Sequence, residues 1–307
     1  MTELIEGTYV NAAGVRNYKL YTTPPLQDEA PPLFVMLHGC DQDAAGFAAG
    51  TRMNELAEEF HAVVLYPEQC RMINPMGCWN WHDIRHQSAA QGEPSLLAGM
   101  TRQVMTERGI DPTRVYVAGL SAGGAMALIL GQEYPELYAA VGVHSGVPSG
   151  VATDLFSALM IMSAGPADGR GRRANARLRT SNVVPTIVFH GDADKTVHPS
   201  NGEAIHSRSR QRQRGGGAML LPNDRSTKTR TRARPGARAV TRTHHSTAGI
   251  PDAELWVVHG GGHAWAGGSP DGTYTESGGP DASREMVRFF LQQRLNGATP
   301  QPGHQTT

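Results

Sequence analysis

Cysteine is scarce in this chain of 307 residues: Cys40, Cys70 and Cys78 are too few for a disulfide framework, although two of them could pair in an oxidising compartment. No apolar run approaches the roughly 18 residues needed to cross a bilayer, so no membrane span is expected. The opening MTELIEGTYVNAAG lacks both a basic n-region and an apolar h-region. As written, that points to a cytoplasmic protein, or to an extracellular one if a signal was removed before this numbering. Metal-ligand spacing is also missing. His259 and His263 stand four apart, but three glycines between them argue against a zinc-binding helix, and Cys70 and Cys78 do not have zinc-ligand spacing. No metal and no other cofactor is expected. Net charge is zero, which excludes a uniformly basic or acidic protein. The charge is unevenly spread, however: residues 206–242 hold ten Arg and one Lys against one Asp, a local sum of +10.

What is present is an alternation. YVNAAGVRNYKLY reads as two strands around an Asn-Ala-Ala-Gly turn. PPLFVMLHG and AVVLYP are short apolar runs bounded by Pro and Gly, as in strands buried on both faces of a parallel sheet. Between them, Met53, Leu56, Ala57 and Phe60 recur at helical spacing. A helix from about Pro94 to Glu107, strand RVYVAG, helix AGGAMALILGQ, strands AAVGVH, PTIVFHG and ELWVVHG, and a closing helix from near Asp281 to Leu295 continue the pattern. Such alternation predicts βαβ units in a mostly parallel sheet flanked by helices, in one α/β domain spanning 1–307. Residues 296–307 are expected to be a polar tail, and 206–240, with SRSRQRQRGGG and STKTRTRARPGAR, a basic flexible loop.

In a parallel sheet, chemistry gathers beyond the carboxyl ends of the strands. Ser121 lies there, in Gly-Leu-Ser-Ala-Gly between a strand and a helix. This matches a nucleophile elbow, whose tight turn needs glycines on either side of the serine. The same turn aims the amide of Ala122 at a developing oxyanion. The alternative is a serine that merely caps the helix. A serine hydroxyl needs a base, and the base needs an acid, in the order Ser, Asp or Glu, His. PTIVFHG ends in Asp192-Ala193-Asp194, and ELWVVHG ends in three glycines and His263. Asp194 is the preferred acid because it stands further from its strand, while Asp192 suits shaping the turn. In LHGC, Gly39 lets the backbone turn so that the amide of Cys40 is a second oxyanion donor.

LHGCDQDAAGFAAGTRMNELAEEF, YPEQ, CWNW, DPTRVYVAGLSAGGAMA, HGDADKTVHP and GGGHAWAGGSPDGTYTESGGPDASREMVRFFL resemble the polyhydroxybutyrate depolymerase family of serine esterases, from about Leu4 to Leu295. The resemblance implies an α/β-hydrolase fold without a large lid domain. It also implies Ser121 as nucleophile, Asp194 as acid, His263 as base, and Cys40 and Ala122 as oxyanion donors. Its substrates would be polyesters and oligomers of 3-hydroxyalkanoic acids and short esters, with feruloyl and acetylxylan esters of plant polysaccharides as the alternative. Secreted depolymerases of crystalline polymer usually carry a linker and a separate substrate-binding domain, and this chain ends twelve residues after its last expected helix, so action on crystalline polymer is not expected. Trp79, Trp81 and Trp265 are candidate substrate-binding aromatics if exposed, and loop anchors if buried. Cys40 and Cys78 are candidates for a disulfide tying the Trp loop to the oxyanion loop. A rival reading is a polyanion-binding protein using the arginine-rich stretch. That stretch lacks aromatics, so nucleic acid is not the expected partner, and the sequence sets no oligomeric state.

Overall fold

The structure, a computed structural model, describes residues 3–24, 26, 29–166, 184–213, 225–247 and 250–295. A hairpin, β1 (Glu3–Asn11) and β2 (Gly14–Thr22), comes first, followed by β3 (Leu33–Leu37), α1 (Ala44–Thr51), α2 (Met53–Phe60) and β4 (Val63–Glu68). Next come α3 (Gly92–Arg108), β5 (Val115–Leu120), α4 (Ala122–Glu133), β6 (Ala140–His144), α5 (Leu155–Ala164) and β7 (Thr186–Gly191). The chain continues with α6 (Ser200–Gln213), β8 (Arg225–Thr231), β9 (Val240–Thr247), β10 (Ile250–Val258), two short strands β11 (Trp265–Ala266) and β12 (Thr275–Glu276), and α7 (Ala282–Phe290).

One ten-stranded sheet has the order β1-β2-β4-β3-β5-β6-β7-β10-β9-β8. Its six central strands, β4 through β10, are parallel neighbours; the hairpin β1–β2 and the pair β9–β8 close the edges antiparallel. The central strands are buried on both faces, which is why they read as unbroken apolar runs. Alternate residues go to opposite sides. Leu33, Val35 and Leu37 pack with Leu97, Met126 and Leu130 of α3 and α4, while Phe34 and Met36 pack with Phe47, Leu56 and Phe290 of α1, α2 and α7.

The basic stretch departs from expectation. Residues 206–240, expected to be a flexible loop, contain the later part of α6, all of β8 and the start of β9. Every residue of β8 is exposed, so no apolar alternation could announce it. Threonines suited to extended backbone and pairing with β9 make it a strand. Its Lys228, Arg225 and Arg230 form a cationic edge that discourages pairing with another sheet. The segment 214–224 and the polar tail 296–307 lie outside the described residues. The described part of the β6–β7 connection is the single helix α5, which exposes Leu155, Phe156, Leu159 and Met160. Among the described residues, no helix is long and apolar enough to cross a membrane.

Candidate active site

Ser121 sits between β5 and α4 with φ 56° and ψ −117°, a strained conformation for a residue with a side chain. The flanking glycines are there because nothing else fits. A Cβ on Gly123 would stand 2.1 Å from the carbonyl oxygen of Leu37, and one on Gly119 would stand 2.4 Å from the carbonyl carbon of Gly123. Although Ser121 occupies the N-cap position of α4, its side chain makes no capping hydrogen bond, which disfavours the capping alternative. Its hydroxyl has no hydrogen-bond partner among the described residues, His263 included. Its amide donates to the carbonyl of His144 at 2.9 Å.

The candidate acid and base do meet. His263 Nδ1 lies 2.8 Å from Asp194 Oδ2. The other oxygen of Asp194 accepts the amides of Thr196 at 2.9 Å and Val197 at 2.8 Å, which fixes the carboxylate plane. Burial pushes the pKa of Asp194 up, but hydrogen bonds from His190 and His263 outweigh it and hold the carboxyl well below its usual range. It therefore stays anionic and accepts from a proton-bearing Nδ1 of His263, which leaves Nε2 as the nitrogen able to accept a proton.

Asp192 has different work. Its Oδ2 lies 2.7 Å from His259 Nδ1, its Oδ1 accepts the amide of Gly260 at 2.6 Å, and His259 Nε2 lies 2.8 Å from the hydroxyl of Thr241. This second acid–imidazole pair ties the ends of β7, β9 and β10 together at the base of the turns that carry Asp194 and His263. Those turns also bond directly, Ala193 donating to Gly261 at 3.0 Å.

His144 joins both halves of the site. While its carbonyl holds the Ser121 amide, its Nε2 accepts the amide of Ala266, three residues after His263, at 3.0 Å. The ring is stacked between Phe189 and Trp265. Burial, reinforced by the neighbouring His190 and His263, pushes its pKa down to about 3, so it remains a neutral acceptor.

A disulfide joins Cys40 and Cys78. The amides of Cys40 and Ala122 donate to no acceptor among the described residues, and the latter belongs to the first turn of a helix, where amides lack intrahelical partners. The loop around Cys40 is held from below. Buried His38 receives the Gln69 amide on Nε2 at 3.1 Å and therefore donates from Nδ1 to the carbonyl of Gly39 at 2.7 Å; burial lowers its pKa. Gln42 accepts the Gly39 amide at 2.8 Å and donates to the carbonyl of Thr273 at 2.8 Å, linking this loop to the one after His263.

Trp79, Trp81 and Trp265 are all buried, which removes them as exposed substrate surfaces. Trp79 donates from Nε1 to the carbonyl of His38 at 3.1 Å, and Trp265 donates to the hydroxyl of Ser283 at 3.0 Å. Trp79 and Trp265 are anchors, each with its one polar atom satisfied. Between Trp79 and Trp81, Asn80 is held through its amide by Glu93, whose buried carboxylate also receives Gln69, the Asn80 side chain and Arg16. Sequence reasoning missed His144, Gln42, Glu93 and Tyr274. Only His144 carried a signal, since it ends a strand beside the elbow strand. Among the described residues no group of three or more His, Cys, Asp and Glu is placed to hold a metal ion.

Several known proteins are similar to this chain. Poly(3-hydroxyalkanoate) depolymerase C of Paucimonas lemoignei is 34% identical over 175 residues, covering 55% of this chain and 42% of that protein. Feruloyl esterase B of Neurospora crassa is 32% identical over 133 residues, 43% of this chain and 44% of that protein. The matched segments thus span less than half the length of either relative. Among solved structures, an acetyl xylan esterase from Aspergillus awamori superposes with a TM-score of 0.62 at 18% identity, covering 90% of this chain and 94% of that one. That likeness shows the α/β-hydrolase fold. The family described as Esterase PHB depolymerase matches residues 16–233, which include Ser121 and Asp194, and the chain belongs to that family.

Proposed function

We propose that the chain is a serine esterase acting through an acyl-enzyme, with 3-hydroxyalkanoate polyesters, their oligomers and short-chain esters as substrates. The observation that carries this reading is the suspension of Ser121 and the His263 loop from one residue, His144, with Asp194 holding the far side of the imidazole. In this reading His263 Nε2 takes the proton of Ser121 as the hydroxyl oxygen attacks the ester carbonyl. The carbonyl oxygen becomes an anion against the free amides of Cys40 and Ala122. The imidazolium then protonates the departing alkoxide, and the same nitrogen later activates water to release the acid, while Asp194 keeps the ring oriented. Attack needs Ser121 Oγ to swing onto the imidazole; catalytic hydrogen bonds often tighten only when substrate is bound.

Family membership supports ester hydrolysis, and the depolymerase relatives support a hydroxyalkanoate acyl group. Helix α5 is tied to the Asp194 loop by the His198 amide, which donates to Met162 at 2.7 Å, and its exposed apolar residues suit an aliphatic polymer surface. The Cys40–Cys78 bond supports an oxidising compartment. A second reading, hydrolysis of acetyl or feruloyl groups on xylan, is favoured by the relatives that bear those names and by the near-complete overlap with the acetyl xylan esterase fold.

One panel separates them: acid released from amorphous polyhydroxybutyrate, p-nitrophenyl butyrate, acetylated xylan and methyl ferulate, by wild type and Ser121→Ala. The first reading expects polymer and butyrate hydrolysis that Ser121→Ala abolishes. Activity confined to xylan or ferulate would transfer the conclusion to the second reading, and a Ser121→Ala protein that retained most of its rate would overturn both.

A further inference from the structure

Tyr274 lies in the loop between β11 and β12 with a φ of 52°. Bulky residues adopt this left-handed region only where the surroundings force them to. The forcing contacts are visible. Trp265 donates its amide to the Tyr274 carbonyl at 2.7 Å, Gln42 donates to the Thr273 carbonyl at 2.8 Å, and the Thr275 hydroxyl donates to the Ser269 carbonyl at 2.7 Å. Gly272 presses so closely on α1 that a Cβ there would come within 2.4 Å of Gly50 Cα. Glycine at position 274 would relieve the backbone, yet the chain places a tyrosine there. The residue is 45% exposed, in contrast to the buried Trp265 beside it. It meets His263 edge to face, with centroids 6.5 Å apart and planes at 81°. Its hydroxyl has no hydrogen-bond partner among the described residues, so the ring is not held there by its polar end.

We infer that Tyr274 is a specificity-determining residue whose ring walls the alcohol side of the scissile ester and favours bulky apolar alcohol groups; this rests on the proposed roles of Ser121, Asp194 and His263. The imidazole that accepts the serine proton passes it to the departing alkoxide, so the alcohol moiety must lie against His263. An exposed ring packed on that imidazole therefore meets the alcohol side and not the acyl chain. In a hydroxyalkanoate polymer the alcohol side is the next monomer, whose aliphatic carbons pack well on an aromatic face. Contact of this kind exists in ground and transition states alike, so its loss appears in KM more than in kcat.

The test measures KM and kcat for methyl, hexyl and benzyl butyrate, and for p-nitrophenyl acetate, butyrate and hexanoate, with wild type, Tyr274→Ala, Tyr274→Gly, Tyr274→Phe and Ser121→Ala. Wild type should prefer benzyl over methyl alcohol. The Ala and Gly variants should narrow that ratio about tenfold through KM, the acyl-length preference should persist, and Phe should restore the ratio. Gly should melt above Ala because it tolerates the backbone angle, without recovering KM. Recovery of KM by Gly would mean that the backbone and not the ring matters, and would overturn the inference. An unchanged alcohol preference, or a change confined to the acyl series, would overturn it too. Failure of the underlying reading shows separately, as hydrolysis that survives in Ser121→Ala.

Discussion

The ring of His144 accepts the backbone amide of Ala266 at 3.0 Å across 122 positions of chain, so the loop bearing His263 is anchored to the strand beside the elbow. Only a neutral imidazole can do this, and burial keeps it neutral down to about pH 3. In the unfolded chain the same histidine binds a proton near the ordinary value of 6.5. Between those values the unfolded state holds one more proton, so native stability must fall as pH drops from about 6.5, by up to about 1.4 kcal/mol per pH unit from this residue. Buried His38 shifts in the same direction. His144→Phe keeps the stack between Phe189 and Trp265 but orphans the Ala266 amide. Urea unfolding at pH 7 should show a loss of about 1–3 kcal/mol. Repeated from pH 6 to pH 4, it should give a shallower slope than wild type, and parallel slopes would contradict the assignment.

The disulfide spans 38 positions and carries the amide proposed to hold the oxyanion. Closing a loop of that length stabilises by about 3–4 kcal/mol on the chain-entropy account. Cys40→Ser with Cys78→Ser, or reductant added to wild type, should lower the melting temperature. Each should also lower kcat on p-nitrophenyl butyrate, because the Cys40 loop would be held to the Trp79 loop by hydrogen bonds alone. Calorimetry and initial rates, with thiol titration to show that the bond has opened, check both effects.

Legibility followed locality. The elbow could be read because strain, glycines and the strand-to-helix switch all fall within five residues around Ser121. Asp194 and His263 could be proposed because each follows a buried apolar strand, and their order along the chain is that expected of the fold. Asp192 and Asp194 could be separated only by an argument from reach, and the structure shows the reason: each has its own histidine, His259 or His263. The tryptophans remained ambiguous because side-chain type does not report burial in a loop. Strand β8 was hidden because a strand exposed on both faces has no apolar period. His144, Gln42 and Glu93 reach partners 122, 231 and 77 positions away, and nothing near them in sequence marks those partners.

Glu93 and Arg16 form an ion pair in which both side chains are almost fully buried. Removing the carboxylate strands the guanidinium and also releases Gln69 and Asn80, so Glu93→Ala should cost about 3–5 kcal/mol in urea unfolding. Arg16→Met should cost less, because Glu93 keeps its bonds to Asn80 and Gln69. Equal losses would show that the charge pair alone matters and that the link to the Trp loop is incidental.

Asp194→Asn tests the acid without changing its shape. The aspartate receives the amides of Thr196 and Val197 on one oxygen and His263 Nδ1 on the other, with His190 Nε2 3.5 Å from that second oxygen. An asparagine must keep its single oxygen on the two backbone amides, which turns its NH2 toward His263 Nδ1. That nitrogen must then give up its proton to accept, and the proton moves to Nε2, where it blocks the proposed general-base action. A fall in kcat of about 10^3 to 10^4 follows, with KM little affected. Stability responds in the opposite sense at low pH. Because the folded carboxyl titrates below its ordinary 3.8, wild type loses stability as pH falls through and below that value, and the amide variant lacks this loss. Melting curves from pH 5 to pH 2.5 should therefore converge, with wild type descending more steeply; a variant with near-normal kcat, or one whose melting temperature falls in parallel with wild type, would remove Asp194 from the site.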